Sequence, residues 1–243
     1  MSKRESLLAL AALARSIEEE FIAELPAVER SATGTPDDWS PKDIVAHVTT
    51  WRERGAEELG LLGQQALPPE VREFDEINRK IFDQNRHLSW DSVHARARVS
   101  WDRFLEALGV LPGDFLEAGP PAGASGRPLW RRLTVDAANH PALHYAEFAR
   151  RRGRIKSSTR WMEALAPVLF AVDPSGEWHA VIHYNLACHY AQTGFPDKAL
   201  AALQLSLELN PGLRTSARQD PDLAPLQGDS RFTTLVVSDV PSD

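Results

Sequence analysis

The sequence has little of what defines several large classes of protein. Its single cysteine, Cys188, excludes a disulfide framework and a zinc site built from CxxC pairs, and is typical of a reducing compartment. No apolar run approaches the ~20 residues of a membrane-spanning helix. The net charge of −7 argues against a nucleic-acid binder held mainly by phosphate contacts. We therefore expect a cytoplasmic protein that binds neither membranes nor nucleic acid.

Motifs for the common nucleotide and hydrolase chemistries are also missing. The chain contains no GxxxxGK[ST], GxGxxG, HExxH or GxSxG pattern, so nothing supports nucleotide hydrolysis, dinucleotide binding or the common protease and esterase mechanisms. Its composition is that of an ordinary globular protein, with 43% hydrophobic and 25% charged residues, which disfavours intrinsic disorder.

Apolar residues recur every three or four positions along most of the chain, which predicts an all-α fold. Ser40 followed by Pro41 marks a helix start, Ser89 can cap a second start, and Gly153 marks a helix end. The predicted helices cover about residues 6–25, 41–62, 71–108, 129–152 and 158–172, with a further pair joined at 193–195. The third region has an apolar face made of Ile77, Ile81, Phe82, Val93, Val99, Trp101, Phe104, Leu105 and Leu108.

The N-terminal segment admits two interpretations. Basic residues ahead of the apolar stretch 7–14 are similar to a short secretory signal. The apolar spacing, however, continues through Ile17, Phe21 and Leu25, with the acidic residues 18–20 mostly turned away, which is typical of an amphipathic helix. This periodicity favours the helix.

Charge and loop composition predict two modules. Residues 171–243 carry nine acidic and four basic side chains, whereas residues 1–170 are nearly balanced. Four helices joined by turns and one longer loop describe an up-down four-helix bundle over residues 1–155, followed by a helical module over 156–243. We expect the glycine- and proline-rich loop 109–128 to form the rim of a pocket in the bundle.

The second module carries small and apolar residues at a regular spacing: Leu186, Ala187, Tyr190, Gly194, Ala199, Leu203, Ser206 and Pro211. In this spacing residues 180–213 resemble the tetratricopeptide repeat, a helix–turn–helix unit of about 34 residues. One such unit does not bury its apolar face alone. The resemblance therefore implies that this hairpin packs on the helix of Trp161, on the bundle or on a second protomer, and that it serves protein docking or dimerisation.

Three histidines of the first module fit a metal site. His140 and His144 lie four residues apart, so a helix would project both from one face. His47 falls on the inward stripe of its own helix, between Ile44 and Val48. Three neutral imidazoles suit zinc, nickel or iron and leave a coordination position open. The alternative is that each histidine is a hydrogen-bonded core residue, and Pro141 puts the alignment of His140 with His144 in question.

The same module carries a family-like motif: Asp38-Trp39-Ser40-Pro41-Lys42-Asp43, Ala46-His47 and Trp51, then Asn78-Arg79-Lys80, Ser89 to Val93, and Asn139 to Tyr145. Over about residues 5–152 the chain resembles the DinB/DfsB-like superfamily, in particular its ClbS/DfsB branch. The resemblance implies a four-helix bundle with a divalent metal held by His47, His140 and His144. A second alignment, through His144, Tyr145 and Glu147, places Phe148 where the family has a histidine and keeps only His144 as a ligand.

Two functional hypotheses follow from these patterns. By resemblance, the chain performs metal-assisted chemistry on a small electrophile or thiol, or protects against such a compound. The alternative is a non-catalytic scaffold whose C-terminal module binds a protein partner or a second protomer. For Asp43 two roles stay open, orienting the His47 imidazole or capping its helix. Glu147 is either a general base or a solvated carboxylate, and Cys188 is interpreted as a small packed side chain.

Overall fold

A computed structural model describes residues 2–64, 73–111 and 135–237, and these residues form helices without a β-strand. The all-α prediction is confirmed. The helices are α1 (Lys3–Ala23), α2 (Ala27–Arg30), α3 (Pro41–Gly63), α4 (Phe74–Asn85), α5 (Trp90–Val110), a π-helical turn (Val135–Asn139), α6 (His140–Arg151), α7 (Ile155–Val172), α8 (Gly176–Gln192), α9 (Pro196–Leu209), α10 (Leu213–Gln219), a 3₁₀ segment (Pro221–Leu226) and α11 (Ser230–Val237).

The chain divides into two compact units, Met1–Ala149 and Arg150–Asp243. In the first unit α3 packs against α4 and α5, and α1 packs against α5. The predicted pocket rim, residues 109–128, lies outside the described residues except for its first three positions. Of these, Gly109 and Val110 extend α5, and Leu111 is buried.

Local sequence signals explain where the helices of the first unit begin. Ser2 and Glu5 form a capping box at the start of α1. The Ser40 hydroxyl accepts from the Asp43 backbone N–H at 3.3 Å, and the Ser89 hydroxyl accepts from the Ser92 N–H at 3.2 Å. The predicted caps at Ser40 and Ser89 are therefore confirmed, and Ser89 separates the predicted third region into α4 and α5.

Two predicted orientations in the first unit are wrong. Glu18 is buried rather than turned away, because it lies on the inward stripe of α1 and is neutralised there by Arg52 of α3. Val99 is 49% exposed rather than part of the apolar face. The buried stripe of α5 runs through Val93, Ala97 and Trp101 among others, and position 99 falls on the opposite side of that helix.

The segment before α6 is a π-helical turn, and regular α-helix starts at His140. Pro141 thus lies just after the π-helical turn, and the helix continues through it to Arg151. His140 and His144 consequently lie on one regular helix. The helix ends near Gly153, whose φ of 75° is the left-handed conformation that the predicted stop requires.

In the second unit α8 and α9 form an antiparallel pair joined at residues 193–195, as the sequence predicts. Gly194 has a φ of 80° in this turn. Ala187 and Ala199 are fully buried, and the Ser206 hydroxyl donates to the Ala180 carbonyl at 2.8 Å. Such small residues let the two helices approach closely. The identity of the pair as a tetratricopeptide repeat stays a prediction.

Within residues 2–64, 73–111 and 135–237, none of the helices combines the length and the apolar character needed to cross a membrane.

Candidate metal centre

The structure brings His47 of α3 together with His140 and His144 of α6. One ring nitrogen from each histidine lies within 4.8 Å of the other two. The Nε2 atoms of His47 and His140 are 3.4 Å apart, and those of His140 and His144 are 2.8 Å apart. The three rings therefore converge on one point, from two helices.

These separations fit a shared cation. With metal–nitrogen bonds of about 2.0–2.1 Å, two ligand nitrogens lie ~3.3 Å apart at a tetrahedral metal and ~2.9 Å apart at an octahedral one. The 3.4 Å between the Nε2 atoms of His47 and His140 matches the first spacing, while the 2.8 Å between those of His140 and His144 is slightly below the second and is also the length of a hydrogen bond between the two rings. The donor set of three imidazoles thus suits zinc, nickel or iron, and does not by itself distinguish among them.

Burial keeps the three imidazoles neutral. Burial, together with smaller contributions from the neighbouring His144 and His140, lowers the pKa of His47 from 6.5 to about 2. Burial lowers the pKa of His144 to about 4, and burial together with the neighbouring His144 lowers the pKa of His140 to about 4. Near neutral pH all three rings are therefore uncharged, which is the protonation state that metal binding requires.

One polar atom of the cluster has no hydrogen-bond partner. His47 is 2% exposed, and its Nδ1 makes no hydrogen bond among the described residues. The cost of such an orphaned atom is on the order of 1–3 kcal/mol. The orphaned atom is on the far side of the ring from Nε2, and a histidine that binds a metal through Nε2 normally donates its Nδ1–H to a neighbouring group, so the cluster has no outer partner for His47 among the described residues.

Trp39 forms a wall of the histidine cluster. Its indole lies 4.6 Å from the His47 ring and 5.9 Å from the His144 ring, measured between centroids. The loop that carries Trp39 is held by the Asp43 carboxylate, which accepts from the backbone N–H groups of Gly34 and Ser40, each at 3.0 Å. Of the two roles open for Asp43, the structure shows helix capping and loop attachment, with the His47 Nδ1 left unbound.

A cavity of about 240 Å³ is lined in part by Trp39. Its apolar walls are Trp39 and Phe82, and its polar lining includes Asp37, Asp75, Asn78 and Arg79. The Asn78 side-chain oxygen accepts from the Trp51 indole N–H at 3.1 Å, which fixes the amide. The cavity is large enough for a small molecule and shares Trp39 with the histidine cluster.

The sequence reasoning missed a buried polar cluster in the same unit. Glu18, Arg52, Trp101 and Tyr145 are each at most 3% exposed, and the Glu18 carboxylate accepts hydrogen bonds from the other three. The available signal was the position of two opposite charges on the apolar stripes of α1 and α3. Periodicity alone does not show that two such stripes face each other.

The other candidate residues have surroundings that do not favour a catalytic or metal-binding role. Glu147 is exposed, as the solvated-carboxylate interpretation expects. Burial raises the pKa of the Cys188 thiol well above its usual range, which makes it a poor nucleophile. Cys188 lies near Asp220 and Asp222, but Asp220 is engaged in capping the 3₁₀ segment and accepts from the Tyr184 hydroxyl at 2.8 Å. His179 and His183 both pack against the Phe170 ring.

Comparison with known proteins finds no matching family model, no matching curated protein and no matching solved structure.

Proposed function

We propose that the first unit is a metal-binding bundle in which His47, His140 and His144 hold one divalent transition metal, either zinc, nickel or iron. The observation that carries this proposal is the convergence of three neutral imidazoles, one buried and two half-buried, whose ligand nitrogens lie within 4.8 Å of one another. The resemblance of residues 38–51 to the DinB/DfsB-like family supports the same ligand set and the four-helix architecture. A metal at such a site supplies a Lewis acid that lowers the pKa of a bound water or thiol.

The chain's own residues define what reaches that site. Three protein ligands leave a coordination position open for a small molecule. The cavity next to Trp39 has apolar walls and both signs of charge in its lining. We therefore propose that the protein acts on, or protects against, a small electrophilic or thiol compound, with Trp39 contacting the bound molecule. The Asp43 carboxylate holds the loop that places this indole.

The experiment is elemental analysis and metal titration of untagged full-length protein. We expect about one transition metal per chain, and a rise in melting temperature when zinc or nickel is added to metal-free protein. The variant His47→Ala should lose both. The matched control is His87→Ala, because His87 is an exposed histidine of the same unit. The proposal would be refuted if the melting temperature of metal-free wild-type protein did not change when either metal was added.

A second candidate function is self-association through the helical pair of the second unit. Three of its large apolar side chains, Phe195, Leu205 and Leu209, are at least 40% exposed. Leu205 and Leu209 are four residues apart on α9 and so form one apolar strip. Light scattering should show a dimer for the wild-type chain and a monomer for the double variant Leu205→Glu/Leu209→Glu. A wild-type chain that stays monomeric at high concentration would contradict this function.

A further inference from the structure

A single carboxylate in the core of the first unit connects four helices. Glu18 of α1 accepts hydrogen bonds from Arg52 of α3, from Trp101 of α5 and from Tyr145 of α6. The Trp101 indole N–H lies 2.9 Å from Glu18 Oε1, and the Tyr145 hydroxyl lies 2.6 Å from Glu18 Oε2. We call this group the Glu18 cluster.

The Arg52 side chain completes the Glu18 cluster. Its guanidinium lies over the Trp101 ring, 3.8 Å from the ring centroid. It also donates to the Ser100 hydroxyl at 2.8 Å and to the Ala97 carbonyl at 3.2 Å. Arg52 and Glu18 are 0% and 3% exposed, so both charges are fully removed from water and compensated within the cluster.

Such a cluster is a weak source of stability but a strong constraint on geometry. The desolvation of two ions largely cancels their attraction, so an apolar replacement of similar volume often gives equal stability. What the hydrogen bonds do fix is direction and register, since each donor has to meet a carboxylate oxygen within a few tenths of an ångström. The helices that supply the donors are thereby held in one axial and rotational setting.

Two of those helices carry the three histidines. Arg52 lies five residues after His47 on α3, and Tyr145 directly follows His144 on α6. Glu18 therefore binds one anchor on each ligand-bearing helix, although α1 itself contributes no histidine to the site. The ring of Tyr145 also stacks on Phe21 of α1, with centroids 4.6 Å apart. Ring packing thus already holds α6 against α1, and the hydrogen bond of the Tyr145 hydroxyl fixes the orientation of this contact.

We propose that Glu18 is a positioning residue for the histidine site: through Arg52 and Tyr145 it sets α3 against α6 so that the three imidazoles share one point. This inference rests on the proposed function. It predicts that metal affinity depends on hydrogen bonds far inside the unit, made by side chains that never touch the cation. Outer partners that orient metal ligands typically contribute 10–100-fold in affinity.

The test measures metal affinity in two variants that keep the fold. Tyr145→Phe deletes one hydroxyl and retains the ring on Phe21, whereas Glu18→Asp keeps the charge opposite Arg52 but shortens its reach by one methylene. We expect each to weaken zinc and nickel binding several-fold, less than the 10–100-fold of a partner that is hydrogen-bonded directly to a ligand. Affinity is measured by competition with a chromophoric chelator, at a temperature where circular dichroism shows full folding. A role in stability alone would leave that affinity unchanged.

The matched control is Tyr190→Phe in the second unit. The Tyr190 hydroxyl also donates to a glutamate, Glu163 Oε1, at 2.8 Å, so the same atom is deleted from the same kind of hydrogen bond. This variant should bind metal like the wild type. If Tyr145→Phe and Glu18→Asp also bind like the wild type, the positioning role is overturned and the metal site stands. If the wild-type chain binds no metal, the proposed function fails and this inference fails with it.

Discussion

Replacing Glu18 by glutamine removes the charge that neutralises Arg52 in the core of the first unit. The substitution preserves size, so packing changes little and the effect is electrostatic. The Arg52 guanidinium is 0% exposed and lies against the Trp101 ring, so water does not reach it to compensate. We expect the free energy of unfolding of this unit to fall sharply.

The magnitude follows from the contacts. Breaking a buried ion pair by removing one partner costs about 3–5 kcal/mol, because an uncompensated charge stays buried. The wild-type carboxylate also accepts from the Trp101 indole and the Tyr145 hydroxyl. A glutamine offers one acceptor oxygen to donors that now share two, and its amide N–H₂ faces other donors. We therefore expect the upper end of that range, against a typical total of about 5–15 kcal/mol.

The assay is urea unfolding followed by circular dichroism, with hydrogen exchange of α1 and α3 peptides to assign the loss to the first unit. Glu19→Gln is the matched control: it makes the same substitution one residue along α1, where the carboxylate is 65% exposed and pairs with Arg15. Exposed pairs of this kind contribute about 0–1 kcal/mol. If Glu18→Gln and Glu19→Gln unfold at the same urea concentration, the electrostatic reasoning is refuted.

Two further predictions concern the Trp39 loop and the second unit. In Gly34→Ala the new Cβ would overlap the Asp43 carboxylate and the Ser40 backbone nitrogen, which should lower stability by ~1–3 kcal/mol. In Gly60→Ala the new Cβ meets no neighbour within 4 Å among the described residues. This variant should raise stability by ~0.5–1 kcal/mol, because alanine favours the helix. Thermal melts of both variants check the pair of predictions, and equal changes in stability would contradict the geometry. Burial chiefly lowers the pKa of His189 from 6.5 to about 4, and Arg150 adds to that shift. The unfolded chain binds the extra proton, so His189 should reduce stability by up to about 3 kcal/mol as the pH falls from 6.5 to 4. His189→Gln should make urea midpoints less pH-dependent in that window, and an unchanged slope would exclude this assignment.

Helix positions and helix ends were accessible from the sequence because their causes are local. The apolar period of 3.6 residues, the hydroxyls at Ser40 and Ser89 and the backbone freedom of Gly153 act within one or two turns. The short helix Ala27–Arg30 was not predicted, since four residues are too few to show a period. Val99 was assigned to the wrong face although it lies two residues from both Ala97 and Trp101, a spacing that the helical period itself puts on the opposite side.

Part of the histidine site could likewise be predicted from the sequence, and part depends on the tertiary structure. The spacing of His140 and His144 places both rings on one face of a helix whatever surrounds it, and the inward position of His47 follows from the period of its own helix. That α3 and α6 face each other, so that the ring nitrogens lie within 4.8 Å, is a long-range relation that no local pattern contains.

The sequence by itself determined the helical class, the caps and the pairing of two imidazoles, because these depend on backbone and side-chain geometry within a few residues. Only the tertiary structure decided that His47 meets that pair, that Trp39 lies beside them, and that Glu18 is buried against Arg52. The contact of His47 with His140 joins residues 93 positions apart, and that of Glu18 with Arg52 joins residues 34 positions apart. They form because the helices bury their apolar stripes against one another, and which polar groups then meet depends on the packing of all four helices at once.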